Sequence, residues 1–120
     1  MDISKKIAEL KEDENFAENV GMVLIHNGVV RGTKREDGSP VAKLEVKADR
    51  EKIELIRQDI EAMEGIYKVV VEAIDGVMKP GDDLLYLIVA GDIRENVKPA
   101  LALLLDRVKA EAVAKKEHSL

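Results

Sequence analysis

The chain has no cysteine and no tryptophan, and only Phe16, Tyr67 and Tyr86 are aromatic. Without thiols it forms no disulfide and offers no thiolate, so any sulfur it handles arrives on a partner or a cofactor. Few aromatics and a net charge of −5 also leave out the basic, stacking footprint of a nucleic-acid binder. The longest apolar run, Leu84 to Ala90, is far too short to cross a bilayer, and the charged Met1–Lys11 stretch is unlike a signal peptide. The expectation is a cytoplasmic protein with no membrane contact. The two histidines, His26 and His118, stand in no ligand-spaced motif, and "GVVRG" lacks the spacing of a phosphate-binding glycine loop. No metal or resident cofactor is therefore expected.

What is present is enough for one domain over residues 1–120. A hydrophobic content of 46% in 120 residues allows a core, with roughly two-thirds of the unfolded surface buried. The charged fraction, 36%, is shared between both signs and describes a solvated surface.

Local signals divide the chain cleanly. Asp2 is placed to cap a helix carrying Ile3, Ile7 and Leu10 at helical spacing. "VGMVLIHNGVV" is β-branched without helical period, which predicts a buried strand from Val20 to about Val30. Arg31 to Pro40, with Asp37-Gly38, predicts an exposed, mobile hairpin loop. In "VAKLEVKAD" Leu44 and Val46 alternate with Glu45 and Lys47, as in a half-buried strand. Asp49 then caps a helix with an Ile53, Ile56, Ile60 and Met63 stripe, and Gly65 ends it.

"IYKVVVEAI" and "LLYLIVA" are predicted as antiparallel neighbours, joined through a glycine kink at Asp75-Gly76 and a type II turn at Lys79-Pro80-Gly81-Asp82. A last helix carries Val97, Leu101, Leu104, Leu105, Val108 and Ala112 along one side. Pro99 requires that this helix start near Asn96 or bend. The predicted order is α-β-β-α-β-β-α, an α+β fold with three helices and a largely antiparallel sheet.

The chemistry left to the chain is basic. Arg31 follows a strand, Lys34 and Arg35 ride the loop, Arg94 opens the last helix, and Lys98, Lys109, Lys115 and Lys116 follow. Convergence of several would make an anion site in an acidic protein, and a partly buried lysine beside other cations would have a lowered pKa. The competing reading is a scatter of solubilising lysines. At about 100° per residue, Lys116 lies over Lys109 on an unbroken helix, whereas Lys115 sits about 120° away. A break near Ala112–Ala114 is needed for Lys115 to join Lys109.

Three segments, "HNGVVR" at 26–31, "GVMKPGD" at 76–82 and "DRVKAEAVAKKE" at 106–117, resemble the large, catalytic subunit of molybdopterin synthase. The family's patterns run F-x-G-x-V-R, H-R-x-G-x-L-x-x-G-D, then H-R before a helix ending D-R-L-K-x-x-V-P-I-W-K-K-E. The resemblance implies an α/β-hammerhead fold and a homodimer within a heterotetramer. A small ubiquitin-like subunit would insert a C-terminal Gly-Gly thiocarboxylate, and two sulfur transfers would convert cyclic pyranopterin monophosphate into molybdopterin for the molybdenum cofactor. It also implies that Arg31 and Arg94 bind the anionic substrate, that Lys109 is the principal catalytic lysine, and that Lys115 or Lys116 is the second.

The chain departs from the pattern in several places. His26 replaces the phenylalanine, Ile93 the histidine before Arg94, Ala73-Ile74 the middle His-Arg pair, and Val113-Ala114 the Pro-Ile-Trp run. A non-catalytic paralogue, kept as a binding or assembly module, is the alternative. A small-ligand sensor of ferredoxin-like topology fits the element order but leaves the shared motifs unexplained.

Overall fold

The computed structural model describes residues 1–120. Helix α1 (Ile3–Lys11) begins where the Asp2 carboxylate accepts a hydrogen bond from the Lys5 amide at 3.0 Å. A short helix α2 (Phe16–Asn19) follows, a fourth helix where the sequence predicted three. The first strand, β1 (Met22–Val29), and the alternating β2 (Val41–Ala48) fall where the pattern put them. Helix α3 (Arg50–Glu61) is capped by Asp49, which accepts from the Lys52 amide at 3.1 Å, and it buries Ile53, Ile56 and Ile60. Strand β3 (Ile66–Ala73), the short β4 (Gly76–Met78) and β5 (Asp83–Gly91) lead into helix α4 (Arg94–Arg107).

The strands form two antiparallel three-stranded sheets, ordered β1-β5-β3 and β4-β2-β6, where β6 is Val113–Ser119. β3 and β5 pair as expected. The 31–40 segment is a hairpin only within itself: Thr33 bridges Pro40, and the Lys34 amide donates to the Ser39 carbonyl. It does not pair the strands that flank it, because β1 ends in one sheet and β2 begins in the other.

A cluster of 18 buried residues draws on both sheets and both long helices, with Leu44 and Val46 from β2, Leu85 and Leu87 from β5, Ile56 from α3 and Leu104 from α4. Arg57 fastens α3 to β3, because Glu61 accepts from both its guanidinium, at 2.7 Å, and the Val69 amide, at 2.9 Å.

The carboxyl-terminal segment departs most from expectation. α4 starts at Arg94, close to the expected start near Asn96, and runs through Pro99. It then widens into a π-helical turn, Val108–Ala112, and becomes β6. The expected third helix therefore does not carry the last lysines. The Ala112 carbonyl accepts from the Asp49 amide at 2.8 Å, and Val113 has an extended φ of −128°. From there β6 pairs along β2, with Lys115 opposite Val46 and Lys116 opposite Glu45.

Gly65 closes the corner between α3 and β3 at φ 76°, and an added Cβ would collide with the Asp92 carboxylate and the Asn96 amide. Gly81 also has a positive φ, 94°, but nothing lies within 4 Å of the same position. Gly81→Ala is expected to cost only the left-handed strain, about 1–2 kcal/mol. Gly65→Ala should cost clearly more, because the Asp92 carboxylate it would displace accepts from the Ile93 amide and the Asn96 side chain at the start of α4. Urea denaturation of the two variants compares them, and equal losses would contradict this account.

Candidate functional site

The site begins with the end of β1. The turn at Lys79–Asp82 folds against it: the Gly81 amide donates to the Val30 carbonyl, and the Val30 amide to the Asp82 carbonyl, both at 2.8 Å. The Asp82 carboxylate accepts from the Lys79 amide at 2.9 Å and closes the turn. Proline and glycine supply the dihedrals that this turn needs. Its effect is to hold Val30 buried and present Arg31 at the strand's end.

Arg31 opens onto a cleft of about 370 Å³ that also receives Thr33 and Arg35 from the loop, Lys109 from the π-helical turn, and Lys115 and Glu117 from β6. Its floor is apolar, with Val41, Leu44 and Leu84. Four cations thus share a cleft with one carboxylate, in a chain of net charge −5. That arrangement concentrates positive potential over a low-dielectric floor, which is how a protein builds an anion site. The largest cleft, about 600 Å³, is lined by Glu18, Asn19, Tyr67 and Asp92 and has no cation on its walls.

Lys109 is positioned by ion pairs around it. Arg107 bridges Asp59 on α3 and Glu111, both at 2.9 Å, and Lys52 approaches Glu111 at 3.7 Å. These pairs lock the π-helical turn onto α3. Such a widened turn is a common device at functional sites, since it shifts the side chains that follow.

Lys115 reaches the cleft because β6 turns it to the Val46 side of the sheet. Partial desolvation, then the Lys109 ammonium, hold its pKa below the usual lysine range, against an opposing pull from Glu117. Part of its side chain stays in contact with solvent. Lys116 alternates to the Glu45 side, the outer face that also holds His118, whose Nε2 is 3.1 Å from Glu45 Oε1. The lysine pair that the fold brings together is therefore Lys109 and Lys115.

Arg94 does not enter this cleft. It stands exposed at the first turn of α4, paired with Glu95 at 3.1 Å. The helix separates it from Lys109 by about 20 Å.

Sequence reasoning set His26 aside and named Arg35 only among the basic residues whose convergence would make an anion site. His26 is half-buried on β1, and burial first, then Lys109 and Lys115, depress its pKa. Only a cross-sheet contact could reveal it, and no local pattern encodes one.

The class so defined is an antiparallel α+β protein with two lysines and two arginines around one cleft. The profile of the MoaE protein family matches residues 1–111, and the chain belongs to that family. The match stops before β6, so Lys115 is placed by geometry and not by the match.

The chain is 28% identical over 102 residues to a probable molybdopterin synthase of Haloferax volcanii, covering 81% of the chain and 39% of that relative. It thus spans about two-fifths of the relative's length. Its fold is similar to the molybdopterin biosynthesis MoaE protein of Burkholderia ambifaria, with TM-score 0.77, 21% identity, and coverage of 98% of this chain and 76% of that one. It is also similar to a protein–protein complex of subunits 1 and 2 of molybdopterin-converting factor from Helicobacter pylori, with TM-score 0.62, 18% identity, and coverage of 98% and 78%.

The lysine pair has a consequence for stability. Between its lowered folded pKa and the unfolded value near 10.5, Lys115 binds its proton more readily in the unfolded chain. Stability should therefore rise with pH across that window, and the folded state bears the cost at neutral pH. Lys115→Met is expected to raise the melting temperature at pH 7, with the gain fading as pH rises through the lowered folded value and gone above about 10.5. Thermal unfolding across that range checks it, and a loss of stability at pH 7 would contradict it.

Proposed function

We propose that the chain is the large subunit of a molybdopterin synthase and acts in molybdenum cofactor biosynthesis. In this reading it transfers sulfur from a small-subunit thiocarboxylate to cyclic pyranopterin monophosphate. The observation that carries it is the convergence of Lys109 and Lys115 beside Arg31 in one cleft, made by a helix that breaks into a strand. Family membership supplies the substrate class.

Arg31, joined by Arg35, holds the phosphate or an anionic intermediate. Lys115, whose pKa partial burial and the Lys109 ammonium lower, gives up its proton more readily than an ordinary lysine for proton transfer or attack on an acyl carbon, and Lys109 supplies charge beside it. The sulfur comes on the partner's Gly-Gly terminus, and a chain without cysteine is compatible with that source.

The two-subunit complex from H. pylori, similar to this chain in fold, supports a second-subunit partner, which the resemblance implies is small and ubiquitin-like. Arg94, remote from the lysines of its own chain, meets substrate from the second copy of a homodimer within a heterotetramer. The protein works in the cytoplasm, and no helix of the chain is long and apolar enough to cross a membrane.

The test combines the chain with a thiocarboxylated small subunit and cyclic pyranopterin monophosphate and measures dithiolene product. Lys109→Ala and Lys115→Ala are each expected to lower the rate by roughly 10²–10⁴, whereas Lys116→Ala should stay near wild type. Equal losses at Lys115 and Lys116 would break the assignment. Tight partner binding without product would favour the non-catalytic paralogue, and no partner binding would exclude both.

A further inference from the structure

The lysine cleft has a neighbour that the proposed reaction does not use. His26 Nε2 is buried, and no hydrogen-bonding group of the chain reaches it. The ring leans over Gly28, where a Cβ would come within 3.1 Å of Nε2. Burial alternates past a register irregularity between Gly28 and Val29, with Asn27 and Val29 exposed and His26, Gly28 and Val30 turned inward, and Val30 is part of the cleft wall. Across the ladder His26 and Gly28 face Leu87 and Leu85, which bring no charge. The charged groups that act on the ring are Lys109 from the π-helical turn and Lys115 from β6. An unpaired buried ring nitrogen costs free energy unless something completes it.

We propose that His26 is the proton-binding member of this site: its imidazole is neutral in the empty cleft and takes up one proton when an anion sits between Arg31, Arg35 and the two lysines. The inference rests on the cleft being an anion site, as the proposed function requires. The physical basis is reciprocal linkage. Burial and two ammonium groups make a third positive charge unfavourable, and a bound anion offsets that repulsion. The proton comes from solvent, a bond forms at the imidazole nitrogen, and no other reactant is needed. A histidinium made only on occupancy is then a general acid delivered with the substrate, in a chain that has Ile93 where the resembling pattern has a histidine.

Sulfate is the probe, because it does not titrate in the relevant range. The His26 ring is followed by NMR from pH 5 to 9 in the full chain, with and without saturating sulfate. Sulfate affinity is measured by calorimetry at the same pH values. The free ring should titrate below the ordinary histidine range, and sulfate should raise its midpoint by about one unit, equivalent to about tenfold tighter sulfate binding on the acid side.

His26→Phe places there the residue of the resembling family pattern, so the space should accept it, and His26→Gln keeps a polar group. Both variants should still bind sulfate through the other cations but lose the histidine-linked step in its pH dependence. A ring that ignores sulfate, or a His26→Phe chain that keeps the step, overturns the role of His26 and leaves the anion site standing. No sulfate binding by the wild-type chain overturns both.

Discussion

The amide of Asp49 donates to the carbonyl of Ala112, and the carboxylate of Asp49 accepts from the Lys52 amide three residues on. One residue thus starts α3 and stops the π-helical turn. The last carbonyls of a helix need partners, and a helix ends where the surroundings supply a better one than the next turn does. With Ala112 engaged, the chain leaves the helical path and the β2 edge takes it up as β6. The cleft depends on this event. On a continued helix Lys115 would be turned away from Lys109, and β2 would keep an unpaired edge.

The cost of the site is electrostatic. Lys109 and Lys115 repel, and the apolar floor beneath them weakens the screening that water would give. Nothing in the cleft balances four cations except Glu117. The acidic excess of the chain lies elsewhere, in ion pairs such as Arg107 with Asp59 and Glu111, which hold the frame around the lysines. Charge is thus paired around the frame and left largely unpaired in the cleft proposed to bind the substrate, the usual division between structural and functional electrostatics.

Much of the fold was legible because its determinants are local. The caps at Asp2 and Asp49, the positive-φ corners at Gly65 and Gly81, and the alternation of Leu44 and Val46 each act within a few residues. The pairing of β1 with β5 and of β2 with β6 was not legible, since strand partners are chosen by contacts between distant residues. β6 was hidden for a second reason: "VAKKEHS" is polar and short, and it follows a helical stripe that projects naturally through it. Lys109 and Arg31 could be read as site residues from type and resemblance. The choice of Lys115 required the break, and His26, which read as a departure from the family pattern, required its neighbours.

The break also bears on what the family pattern encodes. In the resembling pattern a proline precedes the two lysines, and its missing N–H gives an obvious reason for a helix to stop. This chain has Val113-Ala114 there and stops all the same, through the Asp49–Ala112 bond and the pairing of β6. The proline is thus one means to an end, and the end is an extended strand with Lys115 on its inner side. The same logic applies to the turn at Lys79–Asp82, whose Gly81 and Asp82 are bonded to Val30 and so fix Arg31. What the two motifs share is not a contact with ligand but the geometry that delivers one cation each to a common cleft. Divergence at the His-Arg pair, where Ala73 is buried in the core, leaves that geometry untouched.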